Sequence, residues 1–184
     1  MNYNTRSVIL NQQLDVNRVS NSSVNGVGIC WAAVVAQNVN YMNKTNYTAK
    51  DIYNLCANSY TGTPSGNSTW YERAYNLCGI DVTINESATN YNQVYGLLSN
   101  YRPINMSLRR TDSSGIAHSH GVSLSGITVL NTPSMYAYYY IVDPNVGRVS
   151  VEVPYNVMLD GSNFTYVASN TRTYTKWTRT IYKS

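Results

Sequence analysis

Residues 26–43, GVGICWAAVVAQNVNYMN, decide how the rest of the chain is read. Two glycines break the backbone, and an apolar run then opens at Cys30 and Trp31. Alanine and valine are dense at its start, and Val35, Val39 and Met42 recur at helical spacing. The first two turns are apolar nearly all round, which predicts a helix buried at the centre of a lobe. Cys30 would open that helix, facing unpaired backbone N–H groups and the positive end of the helix dipole, both of which favour thiolate. Gly26 and Gly28 permit tight turns just before it, and such a loop can aim N–H groups at a developing oxyanion. Trp31 supplies bulk to shield an ion pair from water. Taken alone, a cysteine in such a run reads first as a small buried hydrophobe.

Three more helices are predicted downstream. TAKDIYNLCAN carries Thr48 and Asp51 at capping-box spacing. In GNSTWYERAYNLCG, Thr69 and Glu72 form the better box, and Gly79 is placed to end the helix. NYNQVYGLLSNY is a weaker helix that Pro103 blocks. After Pro103 the character changes. PINMSL, HGVSLSGI, YAYYYIV, GRVSVEV and NFTYVA are short runs rich in β-branched and aromatic residues, separated by Gly, Pro, Asn and Asp. No helical pattern intervenes between these runs, so the expected sheet is antiparallel. The fold class is α+β: a helical part over about 28–101, then a β part over about 102–184. The 184 residues suffice for one domain with a real core.

Composition excludes several functions. Only 12% of residues are charged, about half the usual share. Asn, Ser, Thr and 18 tyrosines fill the polar surface. The net charge is +4 without any Lys/Arg run, so no nucleic-acid partner is expected. No apolar stretch reaches the length of a membrane span, and the start, MNYNTRSVIL, is not a signal peptide. The sequons at Asn43, Asn67 and Asn163 are what an Asn- and Thr-rich chain produces by chance. Of the three cysteines, Cys56 and Cys78 end two similar segments and are the natural disulfide pair in an exported protein; two buried thiols are the equal alternative.

The inventory for chemistry is small. The only histidines are His118 and His120, and only Asp143, Glu152 and Asp160 follow them among the acids. His120 starts an alternating run that ends at Gly126, so backbone pairing would hold it and aim its ring. His118 would share its face, but no Cys-x-x-Cys or His-Glu-x-x-His pattern supplies further ligands, and no metal is expected. Asp143 ends an aromatic strand and begins an Asp-Pro-Asn-x-Gly turn. It reads either as a turn aspartate or as the carboxylate that orients an imidazole. Glu152, within a strand, and Asp160, in a loop, are the poorer choices.

Together, ICWAA, HGVSLSG and YYIVDPNVG resemble the papain-like cysteine peptidases, and more closely their compact bacterial branch of secreted, effector and bacteriocin-leader-processing thiol peptidases. In these the nucleophile opens a long helix and is commonly followed by Trp. The histidine precedes an apolar run that ends in Gly six residues on, as His120 and Gly126 do here. The resemblance implies Cys30 as nucleophile, His120 as base and Asp143 as orienter, with no cofactor. It implies a monomeric cysteine endopeptidase, secreted or at a bacterial cell surface, acting on peptide or protein through a thioester acyl-enzyme.

Two features depart from the family. The histidine follows the cysteine by 90 residues, against about 130–150 in plant papains, so elements are missing. The glutamine that usually lies a few residues before the cysteine and lines the oxyanion hole is absent. Gln13 is favoured in its place, with DVNRVSNSSVNG as an insertion, and Asn25 is the alternative. Two other functions remain open on sequence: an acyltransferase or transpeptidase with the same three residues, and a catalytically idle papain-like module that binds peptide.

Overall fold

The computed structural model describes residues 7–131, 135–161, 164–168 and 172–184. The extreme N-terminal residues 1–6 and the sequon residue Asn163 lie outside that set. The chain opens with strand β1 (Ser7–Gln13) and a small hairpin of β2 (Ser23–Val24) and β3 (Val27–Gly28). Helices α1 (Cys30–Asn43), α2 (Ala49–Ser59) and α3 (Ser68–Leu77) follow, then β4 (Val82–Asn85) and α4 (Tyr91–Ser99). The remainder comprises β5 (Ile104–Thr111), β6 (Ala117–Asn131), β7 (Tyr136–Asp143), β8 (Gly147–Pro154), α5 (Tyr155–Asp160), β9 (Tyr166–Val167), β10 (Thr173–Tyr174) and β11 (Lys176–Lys183).

The architecture is the expected α+β arrangement: an N-terminal helical part packed on an antiparallel sheet, with a central helix that begins at Cys30. Seven strands form the sheet in the order β4-β11-β5-β6-β7-β8, and β1 pairs beside the far end of β6. Local chemistry explains the helix ends. Thr48 and Asp51 form the predicted reciprocal capping box of α2. At α3 the expected box of Thr69 and Glu72 is displaced: Asn67 is the N-cap, and its side chain accepts from the Trp70 N–H at 3.1 Å. Asparagine is at least as good a cap as threonine, and it begins the helix earlier. Gly79, at φ +74°, follows the last turn as predicted.

Several elements depart from the sequence reading, the β2–β3 hairpin among them. β1 and β4 lie in the stretch read as loop or helix, and each is a strand because an edge of the long sheet receives it. α5 interrupts the strand-rich half directly after Pro154, whose extended backbone serves as its N-cap.

β6 is the hinge of the whole arrangement, buried from His120 to Ile127. Its apolar residues Val122, Leu124 and Ile127 enter a core shared with α4, α5, β7 and Trp177. The small residues between them face α1. A Cβ on Gly121 would meet the Tyr71 hydroxyl at 3.0 Å and Val34 Cγ2 at 3.4 Å. Ser123 Oγ donates to Gln37 Oε1 at 2.7 Å across the buried α1–β6 contact. Gln37 Nε2 in turn donates to the Val19 carbonyl at 3.4 Å. Gln37→Leu should therefore destabilise the fold by about 1–3 kcal/mol, since it strands the buried Ser123 hydroxyl; urea denaturation measures this. Gly126 serves β1 in the same way, because a Cβ there would lie 2.6 Å from Gln13 Cγ and 3.0 Å from the Gln12 carbonyl.

Candidate active site

Cys30 is the first residue of α1, and Ile29 before it gives the first-turn N–H groups no side-chain cap. The Cys30 and Trp31 N–H groups stay directed at the mouth of the helix, while the Ala32 N–H donates to the Ile29 carbonyl at 3.0 Å. His120 sits in β6 opposite Leu108 of β5. Asp143 is the last residue of β7 and pairs with Gly147 across the turn into β8. The Asp-Pro-Asn turn fixes its carboxylate, since the Asn145 N–H donates to Oδ1 at 2.7 Å. The three residues that sequence brought together on family likeness are thus contributed by one helix and two adjacent strands, and they meet. His120 Nε2 lies 3.0 Å from Asp143 Oδ2, and the ring also hydrogen-bonds the Cys30 thiol.

The electrostatics favour an ion pair. Burial works against a Cys30 thiolate, but the hydrogen bond and charge of His120, with backbone hydrogen bonds from Gly121 and Trp31, outweigh it and hold the thiol below its usual range. Burial likewise opposes a charged His120, yet Asp143 and the Cys30 sulfur together push its pKa up to about 9. Asp143 is fully buried; desolvation opposes its charge, and the hydrogen bonds from His120, Tyr166 and the Asn145 N–H bring its carboxyl below the ordinary carboxylate value. Cys56 and Cys78 are free thiols, and burial pushes each up to about 11. Such an arrangement can generate a nucleophilic sulfur and return a proton from the same imidazole.

Two tyrosines that sequence reasoning missed complete the surroundings of the histidine. The Tyr166 hydroxyl donates to Asp143 Oδ2 at 2.7 Å. The Tyr174 ring stacks on the His120 ring, with centroids 5.3 Å apart and planes 28° from parallel. The two tyrosines are direct partners in the antiparallel β9–β10 pair. One short hairpin therefore covers one face of the imidazole and anchors its carboxylate. In a chain with 18 tyrosines, no local signal separates these two from the rest.

The amides considered for the oxyanion do not line this cleft. Gln13 pairs with Gly126, six residues along β6 from His120, or roughly 20 Å of strand. Asn25 occupies the β2–β3 turn at φ +51° and lines a neighbouring cavity. Asn21, which the sequence did not single out, lies closer to the cleft. Its Nδ2 is 3.6 Å from where a Cβ on Gly28 would stand, and it donates to Asn145 Oδ1 at 3.0 Å. Arg18 donates twice to the Pro144 carbonyl, at 3.1 and 3.0 Å, so residues 18–21 strap the Asp143 turn to the loop before Cys30. The inserted stretch is thus structural as well as a spacer.

His118 is held apart at the tip of the β5–β6 hairpin, where its Nε2 lies 2.8 Å from Asp112 Oδ2. Among the described residues, no group of three or more His, Cys, Asp or Glu is arranged to hold a metal ion. No helix among them is long and apolar enough to cross a membrane. The cleft itself is about 370 Å³, with Cys30, Trp31 and Gly28 on one side, Ser119, His120 and Gly121 on another, and Ser65 and Gly66 at its rim.

A family model described as the papain-like cysteine protease AvrRpt2 matches residues 6–157. That span includes Cys30, His120 and Asp143 and stops short of Tyr166 and Tyr174. Among solved structures, a C39-like peptidase from Bacillus anthracis is similar at a TM-score of 0.53 and 11% identity, covering 95% of this chain and 98% of that one. A double glycine motif protease from an AMS/PCAT transporter, solved in complex with the leader peptide, is a looser likeness at a TM-score of 0.44 and 16% identity, covering 94% of this chain and 97% of that one. Among curated proteins, none matches the sequence.

Proposed function

The chain belongs to the papain-like cysteine protease AvrRpt2 family and is a cysteine peptidase, and from that premise we propose that Cys30, His120 and Asp143 carry its reaction, the hydrolysis of peptide bonds through a thioester acyl-enzyme. The observation that carries this reading is the Cys30 thiol at an uncapped helix N-terminus, hydrogen-bonded to a histidine whose Nε2 is held by a buried carboxylate. His120 takes the thiol proton on Nδ1 before substrate arrives, leaving a thiolate–imidazolium pair. The sulfur attacks the scissile carbonyl, forming a C–S bond, and the carbonyl oxygen becomes an oxyanion. The Cys30 N–H at the helix mouth donates to it. Collapse breaks the C–N bond, and His120 protonates the departing amine. Water then attacks the thioester with His120 as base, the C–S bond breaks, and the acid leaves with the thiol restored.

Tyr166 and Tyr174 act as positioning residues: one fixes the carboxylate that orients the ring, the other shields the ring's face from water. Residues 1–184 form one catalytic domain in this reading, with peptide or protein as substrate.

The charge states set the pH dependence. A raised imidazolium pKa means that the ion pair is present below about 9 and lost as pH rises through it. The lowered thiol pKa keeps the sulfur ionised below the range of an ordinary cysteine. Activity should therefore fall about tenfold per unit above a limb near pH 9. At neutral pH, iodoacetamide or a papain-type epoxide followed by peptide mass spectrometry should mark Cys30 and leave Cys56 and Cys78 protonated and unmodified. Modification of Cys56 or Cys78 in preference to Cys30 would overturn the assignment of the nucleophile.

A further inference from the structure

Beyond the Cys30 cleft, two arginines gather at the tyrosine that covers the histidine. Tyr174 is buried and stacks on the His120 ring. Its hydroxyl end meets the Arg110 guanidinium, and the charge of Arg172 reaches the same hydroxyl. Arg110 stands on β5 opposite His118, two residues from Leu108, the strand partner of His120. That offset is roughly 7 Å of strand. Neither arginine has an acidic partner. Among the described residues, ion pairs join Asp112 to His118, Asp143 to His120, Asp15 to Arg148 and Glu86 to Arg179. Asp112, two residues on from Arg110, is occupied at the hairpin tip, where it also accepts from the Ser114 and Ile116 N–H groups. The Arg110 Nε is buried and has no hydrogen-bond partner. A buried donor left unpaired is costly, and two like charges drawn to one hydroxyl repel each other. An arriving anion relieves both.

We propose that Arg110, Arg172 and the Tyr174 hydroxyl form a carboxylate-recognition site for the peptide substrate, placed to take an acidic group within about three residues of the scissile bond. A guanidinium fork matches a carboxylate through two parallel hydrogen bonds, which an ammonium cannot reproduce. The carboxylate can be an Asp or Glu side chain or the free end of the peptide, since both carry the same anion at neutral pH. The position follows from the layout. Trp31, Gly66, Ser107 and Gly121 line the cleft, and neither Tyr174 nor the two arginines do. A peptide laid across Cys30 fills the cleft with one half, and its other half passes over the β9–β10 hairpin that carries Tyr174. The proposal rests on Cys30 being the nucleophile.

Digestion of a proteome-derived peptide library by the full chain, with cleavage sites mapped by mass spectrometry, tests it. The expected result is enrichment of Asp and Glu at one fixed position near the cut, or cuts at a fixed distance from the C-terminus that amidation abolishes. The first outcome assigns the site to a side chain, the second to the chain end. In matched peptides, kcat/KM should be about tenfold or more higher for Asp than for Asn at that position, or for the free terminus than for its amide. Arg110→Gln should bring this ratio close to one, and Arg110→Lys should keep part of it. Arg172→Gln, at an exposed position, should lower it severalfold, as should about 1 M salt. Equal cleavage of acidic and neutral peptides, or a ratio that Arg110→Gln leaves unchanged, would overturn the site while leaving the nucleophile standing. A wild-type Cys30 that no alkylator labels, or a library left uncut, would overturn both.

Discussion

Replacing Cys30 with alanine is expected to lower peptide hydrolysis by about four orders of magnitude or more and to abolish labelling by a mechanism-based thiol probe. The reason is chemical rather than structural. Once the sulfur is gone, no other group at the mouth of α1 can form the acyl-enzyme, and His120 has no thiol to deprotonate. The fold should survive, because Cys30 is only half-buried and alanine is a good residue for a helix start. Its loss also relieves a desolvated charge pair. An urea melt close to wild type, read beside kcat/KM, separates lost chemistry from lost structure. Robust proteolysis by this variant would sink the assignment.

Asp143→Ala should be the next most damaging change, lowering kcat by about a hundredfold or more. Three groups lose their acceptor at once: the His120 ring, the Tyr166 hydroxyl and the Asn145 N–H. The imidazole is then free to turn away from Cys30, and buried donors are left unpaired at about 1–3 kcal/mol each. Part of the effect would therefore be stability, and a pH profile tells the contributions apart. The carboxylate is one of the groups that raise His120 to about 9. Without it the imidazolium is less favoured, so the basic limb must move to lower pH, although the Cys30 thiolate still supports it. Asp143→Asn keeps the shape and one acceptor oxygen for His120 and Tyr166, and it loses the charge and the acceptor of the Asn145 N–H. It should shift the limb in the same direction while costing far less in kcat. An unmoved limb in both variants would mean that Asp143 holds the turn and does not tune the histidine.

The strap from Arg18 to the Asp143 turn and the β2–β3 hairpin give the inserted stretch before Cys30 a double role. It binds the loop that carries the nucleophile to the loop that carries the carboxylate, through Asn21, Asn145 and the Pro144 carbonyl. It also forms an apolar wall at the rim of the cleft. Changes in this stretch are thus expected to act on the geometry of the site.

Much of this protein was legible along the chain because its causes are local. The α1 helix follows from apolar spacing, the α2 start from Thr48 and Asp51, and the Asp143 turn from Asp-Pro-Asn. These involve residues within a turn or two of one another, and backbone sterics and short hydrogen bonds decide them. Cys30, His120 and Asp143 were also singled out, but through order and family likeness, not through any spacing that brings them together. The hairpin at residues 23–28 is local as well, marked by Val-Asn-Gly-Val at residues 24–27.

What only the tertiary structure decided was long-range. The alternation HGVSLSGI reads as one face inward and one outward, yet Gly121 and Ser123 on the second face receive helix α1. β1 became a strand because Gly126 left room for it, and Gln13 was thereby carried to the far end of β6. Tyr166 and Tyr174 met the Asp143–His120 pair only through the β9–β10 pairing. In each case the deciding contact joins residues tens of positions apart. Local propensity is blind to such contacts, since their energy appears only once the sheet has closed and buried them.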